Sequence, residues 1–193
     1  DMTTGNPSVK LAIFSVPLLI GNMVQLLYNT VASMVVGKFV GDNALAAVGV
    51  STPVMNLLLL LFMGISVGSS IMIAQYYGAK DRETLSHSVG VSVTLTFIAS
   101  VIMMAAGPFL SRFILEKLNT PANIIDMAAD YLVITFIGIL GPAYYNILSG
   151  ILRGMGDAVY PLIFLLTACG INIVLDLWFV AGLGWGVAGA AWA

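Results

Sequence analysis

Charge is what this chain has least of. Asp, Glu, Lys and Arg together make up 8% of its 193 residues, where a soluble domain carries about 25%. That leaves too few polar side chains to coat a water-soluble surface. Seven basic residues against nine acidic ones, scattered along the chain, make no basic patch, so no nucleic-acid partner is expected. A single cysteine, Cys169, excludes an internal disulfide. It lies in an apolar stretch and reads as a small buried hydrophobe. One histidine and no His/Cys/carboxylate grouping with metal spacing leave nothing to build a catalytic metal centre. No Gly-x-x-x-x-Gly-Lys phosphate loop is present. An enzyme is therefore not expected, nor a pump with its own ATPase in this stretch, and no cofactor is implied. No signal peptide with a cleavage site is visible, so the first span is expected to act as its own insertion signal.

What the chain has is apolar length. Sixty per cent of it is hydrophobic. Charge-free stretches run from residue 11 to 37, Asn43 to Ala79, Thr84 to Ser111, Tyr131 to Leu152, and Ala158 to Leu175. A helix needs about 20 apolar residues to cross a bilayer. Runs such as Leu57–Met63 do not alternate as barrel strands would. The fold class expected is an all-α, multi-span membrane bundle. Its spans are predicted near 10–36, 45–74, 86–107, 123–148 and 158–179, with a sixth starting near 186. With the N-terminus cytoplasmic, Lys10, Lys80, Arg82 and Arg153 lie inside and Lys38, Arg112 and Lys117 outside, a weak positive-inside bias. Trp178 and Trp185 flank the last turn, where an interfacial aromatic belt would sit. The chain starts at Asp1 and stops soon after the sixth helix begins. It therefore reads as part of a longer protein.

One carboxylate falls inside this apolar matter. Asp176 is the lone charged side chain between Ala158 and Ala193. An acid at membrane depth costs about 2.5–3.5 kcal/mol on insertion scales. Four residues before it stands Asn172, on the same helical face. A carboxylate and an amide oxygen facing one place inside a span suit a proton or a small cation such as Na+. In the first span, Asn22, Gln25, Asn29 and Ser33 also share a face, with Tyr28 beside it. They serve either to hydrogen-bond helices together or to line a cavity with Asn172 and Asp176. Pro17 removes a backbone hydrogen bond and is expected to kink the first span. Gly64 and Gly68 form a small-xxx-small pair and are expected to make a packing face with Ser66, Ser69 and Ser70. Gly37, Gly41, Gly150, Gly154, Gly182 and Gly186 fall near span ends and read as turns and caps. His87 opens the third span and reads as solvated.

Several stretches together resemble the N-terminal half of the MATE (multidrug and toxic compound extrusion) family. They are Tyr28-Asn29-Thr30-Val31, then Val36-Gly37-Lys38-Phe39-Val40-Gly41 running into Ala44–Gly49 with Ser51 and Pro53. Next come Ala74-Gln75-Tyr76-Tyr77-Gly78-Ala79-Lys80-Asp81, Leu152-Arg153-Gly154-Met155-Gly156-Asp157 with Pro161, and the glycine-rich ending Gly182–Ala191. The resemblance covers the whole chain in order. It implies the first six-helix lobe of a two-lobe transporter, with residues 1–193 as that N-terminal lobe and the C-terminal lobe absent. The implied activity is ion-coupled antiport at the cell membrane: export of cationic, amphipathic small molecules in exchange for H+ or Na+. Asn172 and Asp176 match the family's fifth-helix asparagine and aspartate of the cation- or proton-binding site. Pro17 matches its first-helix proline. Where many members carry an aspartate after the Tyr-Asn-x-Val stretch, this chain has Ala32, which leaves Asp176 as the expected sole intramembrane acid of the lobe. Two other readings compete. A lipid-linked precursor flippase of the same superfamily would need basic residues within the spans, and none is there. A membrane assembly subunit would use Asp176 to pair with a partner helix. A channel is disfavoured because no ring-forming filter motif is visible.

Overall fold

The computed structural model describes residues 7–193, with side chains from Ala12 onward. Asp1 and the Lys10 side chain lie outside the described residues. Among the described residues seven α-helices follow one another: α1 (Pro7–Phe39), α2 (Asp42–Gly78), α3 (Arg82–Lys117), α4 (Ile125–Gly138), α5 (Leu140–Gly154), α6 (Val159–Asp176) and α7 (Gly186–Trp192). A six-residue π-helical turn, Leu177–Gly182, continues α6. No strand occurs among the described residues. Four of these helical stretches are long and apolar enough to cross a membrane. A fifth span results if α4 and α5, bent by 48° at their junction, count as one.

The span limits differ from the apolar windows for local reasons. α3 runs on to Lys117, ten residues beyond the window that ends at 107, because Arg112, Glu116 and Lys117 end an apolar run without ending a helix. The helix also continues through Pro108. The stretch read as one fourth span is the bent α4–α5 pair. Ile139, fully buried, sits at the corner, and Pro142 follows in the first turn of α5, where its missing N–H is tolerated. α1 stays helical from Pro7 through Pro17 to Phe39.

Helices start where side chains supply the missing backbone partners. Asp81 accepts from the Thr84 backbone N–H at 3.1 Å and from the Thr84 hydroxyl at 2.7 Å, capping α3. Asp157 accepts from the backbone N–H groups of Val159 and Tyr160 at 3.0 and 3.2 Å, opening α6.

The centre of the bundle is α2 packed against α3, α4 and α5. Ala47, Val54, Leu58 and Phe62 of α2 meet Leu115 of α3 and Ala128, Leu132 and Phe136 of α4. Buried hydroxyls on these helices are satisfied by their own backbone: Ser51, Thr96, Ser100 and Ser111 each donate to the carbonyl four residues back at 2.8–2.9 Å. This spares them an unpaired polar group in a medium without water. Other bonds reach across: Ser51 also donates to the Ala128 carbonyl of α4 at 3.5 Å, and Tyr145 of α5 to the Pro161 carbonyl of α6 at 3.2 Å. Ser66 of α2 donates to the Asn146 carbonyl of α5 at 2.6 Å.

Gly41 and Gly186 sit at turns with positive φ as expected, but two glycine pairs pack otherwise than their spacing suggested. Gly64 and Gly68 are exposed, and a Cβ added to either would meet no atom within 4 Å. The buried face of that segment is Ser66 and Ser69. Gly150, read as a turn or cap, lies within α5 and Gly154 is its last residue; a Cβ at them would press on Ser66 and on the Ser70 carbonyl. Spacing alone marks both pairs equally; the rotation of α2 decides which pair packs.

The exterior is apolar. Phe109 is 86% and Leu57 70% exposed. Such surface suits lipid, where apolar exposure carries no hydration cost.

Candidate functional site

Asp176 is the last residue of α6 and is 2% exposed. Asn172, one turn earlier, is half-buried, and its side-chain oxygen Oδ1 is buried with no hydrogen-bond partner. Among the described residues, no ion pair or hydrogen bond reaches the Asp176 carboxylate. Two acceptors therefore face the interior without donors. Native interiors rarely leave such groups unpaired, and a charged one costs the most.

Two phenols lie near this site. Tyr28 of α1 lies within hydrogen-bonding range of Asn172 and electrostatic range of Asp176. Tyr131 of α4 also lies within electrostatic range of Asp176. α1 brings Tyr28 here because it packs along α6: Gly21, buried and without a side chain, lies beside Leu162 and Leu165. Cys169 is buried, as its apolar surroundings led us to expect, and is also in range of Tyr28. The site thus takes residues from α1, α4 and α6. Immediately beyond Asp176 the backbone widens into the π-helical turn, an irregularity frequent at functional sites.

The polar stripe of α1 does not share this wall. Asn22, Gln25 and Asn29 are exposed, and only their neighbour Tyr28 turns into the site. Asn29 and Ser33 instead line an open groove of about 770 Å³ between α1 and α2, with Lys38 and Asp42 at its end. The buried acid does not line that groove. Enclosure, not a visible pocket, marks the Asp176 site, as suits a small ion. Pro17 lies half-buried in α1, eleven residues before Tyr28. His87 is exposed at the start of α3. Ala32, at the position where the resemblance expects an acid, is half-buried on α1. Tyr131 was missed from the sequence. A tyrosine opening an apolar run carries no spacing signal, and only the packing of α4 brings it to Asp176.

Comparisons with known proteins agree with this architecture. The MatE family profile matches residues 17–178. The chain is 35% identical over 193 residues to the probable multidrug resistance protein YpnP of Bacillus subtilis, covering 100% of this chain and 43% of that protein. It is 38% identical over 171 residues to the probable multidrug resistance protein YoeA of the same organism, covering 88% of this chain and 37% of that one. A solved MOP superfamily transporter from Pyrococcus furiosus superposes with a TM-score of 0.91 at 32% identity, covering 97% of this chain and 41% of that one. The chain thus spans less than half the length of the curated relatives it matches.

Proposed function

The chain belongs to the MatE family, and from that premise we propose that it is the ion-binding N-terminal lobe of a secondary antiporter. In this reading Asp176 and Asn172 take up H+ or Na+, and Tyr28 and Tyr131 complete the site. The cargo is a cationic, amphipathic small molecule, exported in exchange. The setting is the cell membrane, with the N-terminus cytoplasmic and a second lobe opposite this one.

The observation that supports this reading best is the pair of unpartnered acceptors: a carboxylate 2% exposed and, one turn away, a buried amide oxygen with no donor. A folded chain keeps such a pair where something else supplies the positive charge. A proton turns the carboxyl into a donor, and a sodium ion is coordinated by both oxygens. A group that can be neutral acid or cation-paired carboxylate can load on one side and unload on the other. Rocking of two lobes about a fixed midplane site then gives exchange without ATP. With Ala32 where many members carry an acid, the coupling in this lobe rests on Asp176.

The test is Asp176→Asn in the full-length protein, reconstituted in vesicles with an imposed H+ or Na+ gradient and a cationic dye. The amide keeps the shape and removes the charge. Gradient-driven dye efflux should fall to background while the thermal melting point stays near that of the parent. Efflux at the parent rate would sink the reading.

A further inference from the structure

We propose that a thin apolar plug, formed by Val36, Val40, Ala44, Val48, Val187 and Ala190, gates cation access to Asp176 from the end of the bundle that bears the α1–α2 turn. The proposal rests on the reading of Asp176 as a cation-exchange site and adds the route by which the cation arrives.

The plug is a cluster of its own, separate from the main core. Val36 and Ala44 are each 2% exposed and Val187 6%, with Val40, Val48, Ala190 and Tyr131 packed against them. Its members come from the last turn of α1, the α1–α2 turn (Val40), and the first turns of α2 and α7. Tyr131 joins it to the site, because the same side chain lies within electrostatic range of Asp176.

Its position places it between the site and one aqueous face. Along α1, Val36 stands eight residues beyond Tyr28, about 12 Å nearer the α1–α2 turn. On the other side, the chain leaves Asp176 through the π-helical turn, reverses at Leu183–Trp185, and re-enters as α7 with Val187 near its start. In this proposal a cation entering from that end crosses the plug before it reaches Tyr131 and Asp176. None of its six members carries a polar side chain. A cation gains nothing from such a layer, and a constriction of this kind closes by excluding water.

The proposed opening is at α7, which packs against α4 and the π-helical turn. α7 hangs from Gly184 and Gly186, with φ of +67° and +59°, in the left-handed region that glycine enters without strain. Gly186 also faces Val40 closely: a Cβ there would lie 3.6 Å from Val40 Cγ1. A small displacement of α7 about these glycines separates Val187 from Val36 and Ala44 and lets water through to the Tyr131 hydroxyl and Asp176.

The chain carries its own probe. Cys169, its single cysteine, is buried, in range of Tyr28, and seven residues before Asp176 on α6, about 10 Å farther from the plug. The experiment uses the full-length protein in vesicles and adds Ag+, a cation small enough to follow a sodium ion, from each side in turn. Loss of the free Cys169 thiol is followed by mass spectrometry of its peptide, with complete reaction in denaturant as the reference. Val36→Thr and Val187→Thr are near-isosteric and bring a hydroxyl that demands hydration. Reaction from the α1–α2 side should be slow in the parent and about tenfold faster in both threonine variants. Val187→Ile, which thickens the plug without a polar group, should be as slow as the parent or slower. This variant keeps the test decisive if a threonine variant misfolds, because faster reaction in it contradicts the gate.

Rapid reaction in the parent, or unchanged rates in folded threonine variants, overturns the proposal. Asp176→Asn separates the two ideas. If its efflux is normal while the threonine variants still speed the Ag+ reaction, the gate stands and the role of Asp176 falls. If its efflux is lost but the threonine variants do nothing, the gate alone falls.

Discussion

Tyr131, in the second turn of α4, lies within electrostatic range of Asp176 at the end of α6, as does Tyr28 of α1. Two hydroxyl-bearing rings and one amide thus lie near one acid. Each hydroxyl is an oxygen available to a bound cation and a donor available to the carboxylate, and neither ring brings a competing charge.

Tyr131→Phe and Tyr28→Phe should each weaken the ion dependence of transport without unfolding the protein. Loss of one hydroxyl beside a charged group corresponds to about 1.4 kcal/mol, or roughly tenfold in the ion concentration needed for half-maximal efflux. The maximal rate at saturating ion should change less. A half-maximal concentration equal to the parent's in both variants would remove the phenols from the site.

Gly107 and Gly64 should answer oppositely to alanine. A Cβ at Gly107 would run into the Phe136 ring at the α3–α4 contact, whereas at Gly64 it would meet nothing within 4 Å. Gly107→Ala should destabilise by about 1–3 kcal/mol through overpacking. Gly64→Ala should be neutral or stabilising by about 0.5–1 kcal/mol through helix propensity. Thermal unfolding in detergent checks both, and Phe136→Leu should recover part of the loss at Gly107.

The cap of α3 should loosen in acid. The Thr84 hydroxyl and backbone N–H hold the Asp81 carboxyl below the usual carboxylate range. A folded-state pKa below the unfolded value means the contribution is present above the unfolded value and is lost as pH falls through the lowered one. Amide exchange over the first turn of α3, corrected for intrinsic rates, should therefore quicken only at strongly acid pH. In Asp81→Ala it should be quick at every pH, and an unchanged profile in that variant would show that the cap does not hold the turn.

The tryptophans should report the membrane boundary. Trp178, Trp185 and Trp192 are the chain's three, and each is more than half exposed. Trp178 and Trp185 each stack on Phe179, at 5.5 and 5.1 Å between ring centroids. In a protein whose other tryptophans are replaced by phenylalanine, lipids brominated near the headgroup should quench the emission more than lipids brominated near the chain ends. Stronger quenching from deep bromines would place this corner inside the hydrocarbon.

Composition by itself determined the membrane bundle, because a chain with so few charges has nothing else to do with its apolar length. The i, i+4 spacing determined that Asn172 and Asp176 share a face, since the helix period is set by backbone geometry. Three matters were left to the tertiary structure. Spacing treats Gly64–Gly68 and Gly150–Gly154 alike, and only the rotation of α2 against α5 turned the first pair outward and the second inward. The stripe Asn22, Gln25 and Asn29 could have faced Asp176, but α1 packs so that Tyr28 does. Tyr131 carried no signal at all until α4, bent from α5 at Ile139, brought it to the acid. A helix sequence states which residues share a face. It does not state what that face meets, because rotation and crossing are settled by every neighbouring helix at once.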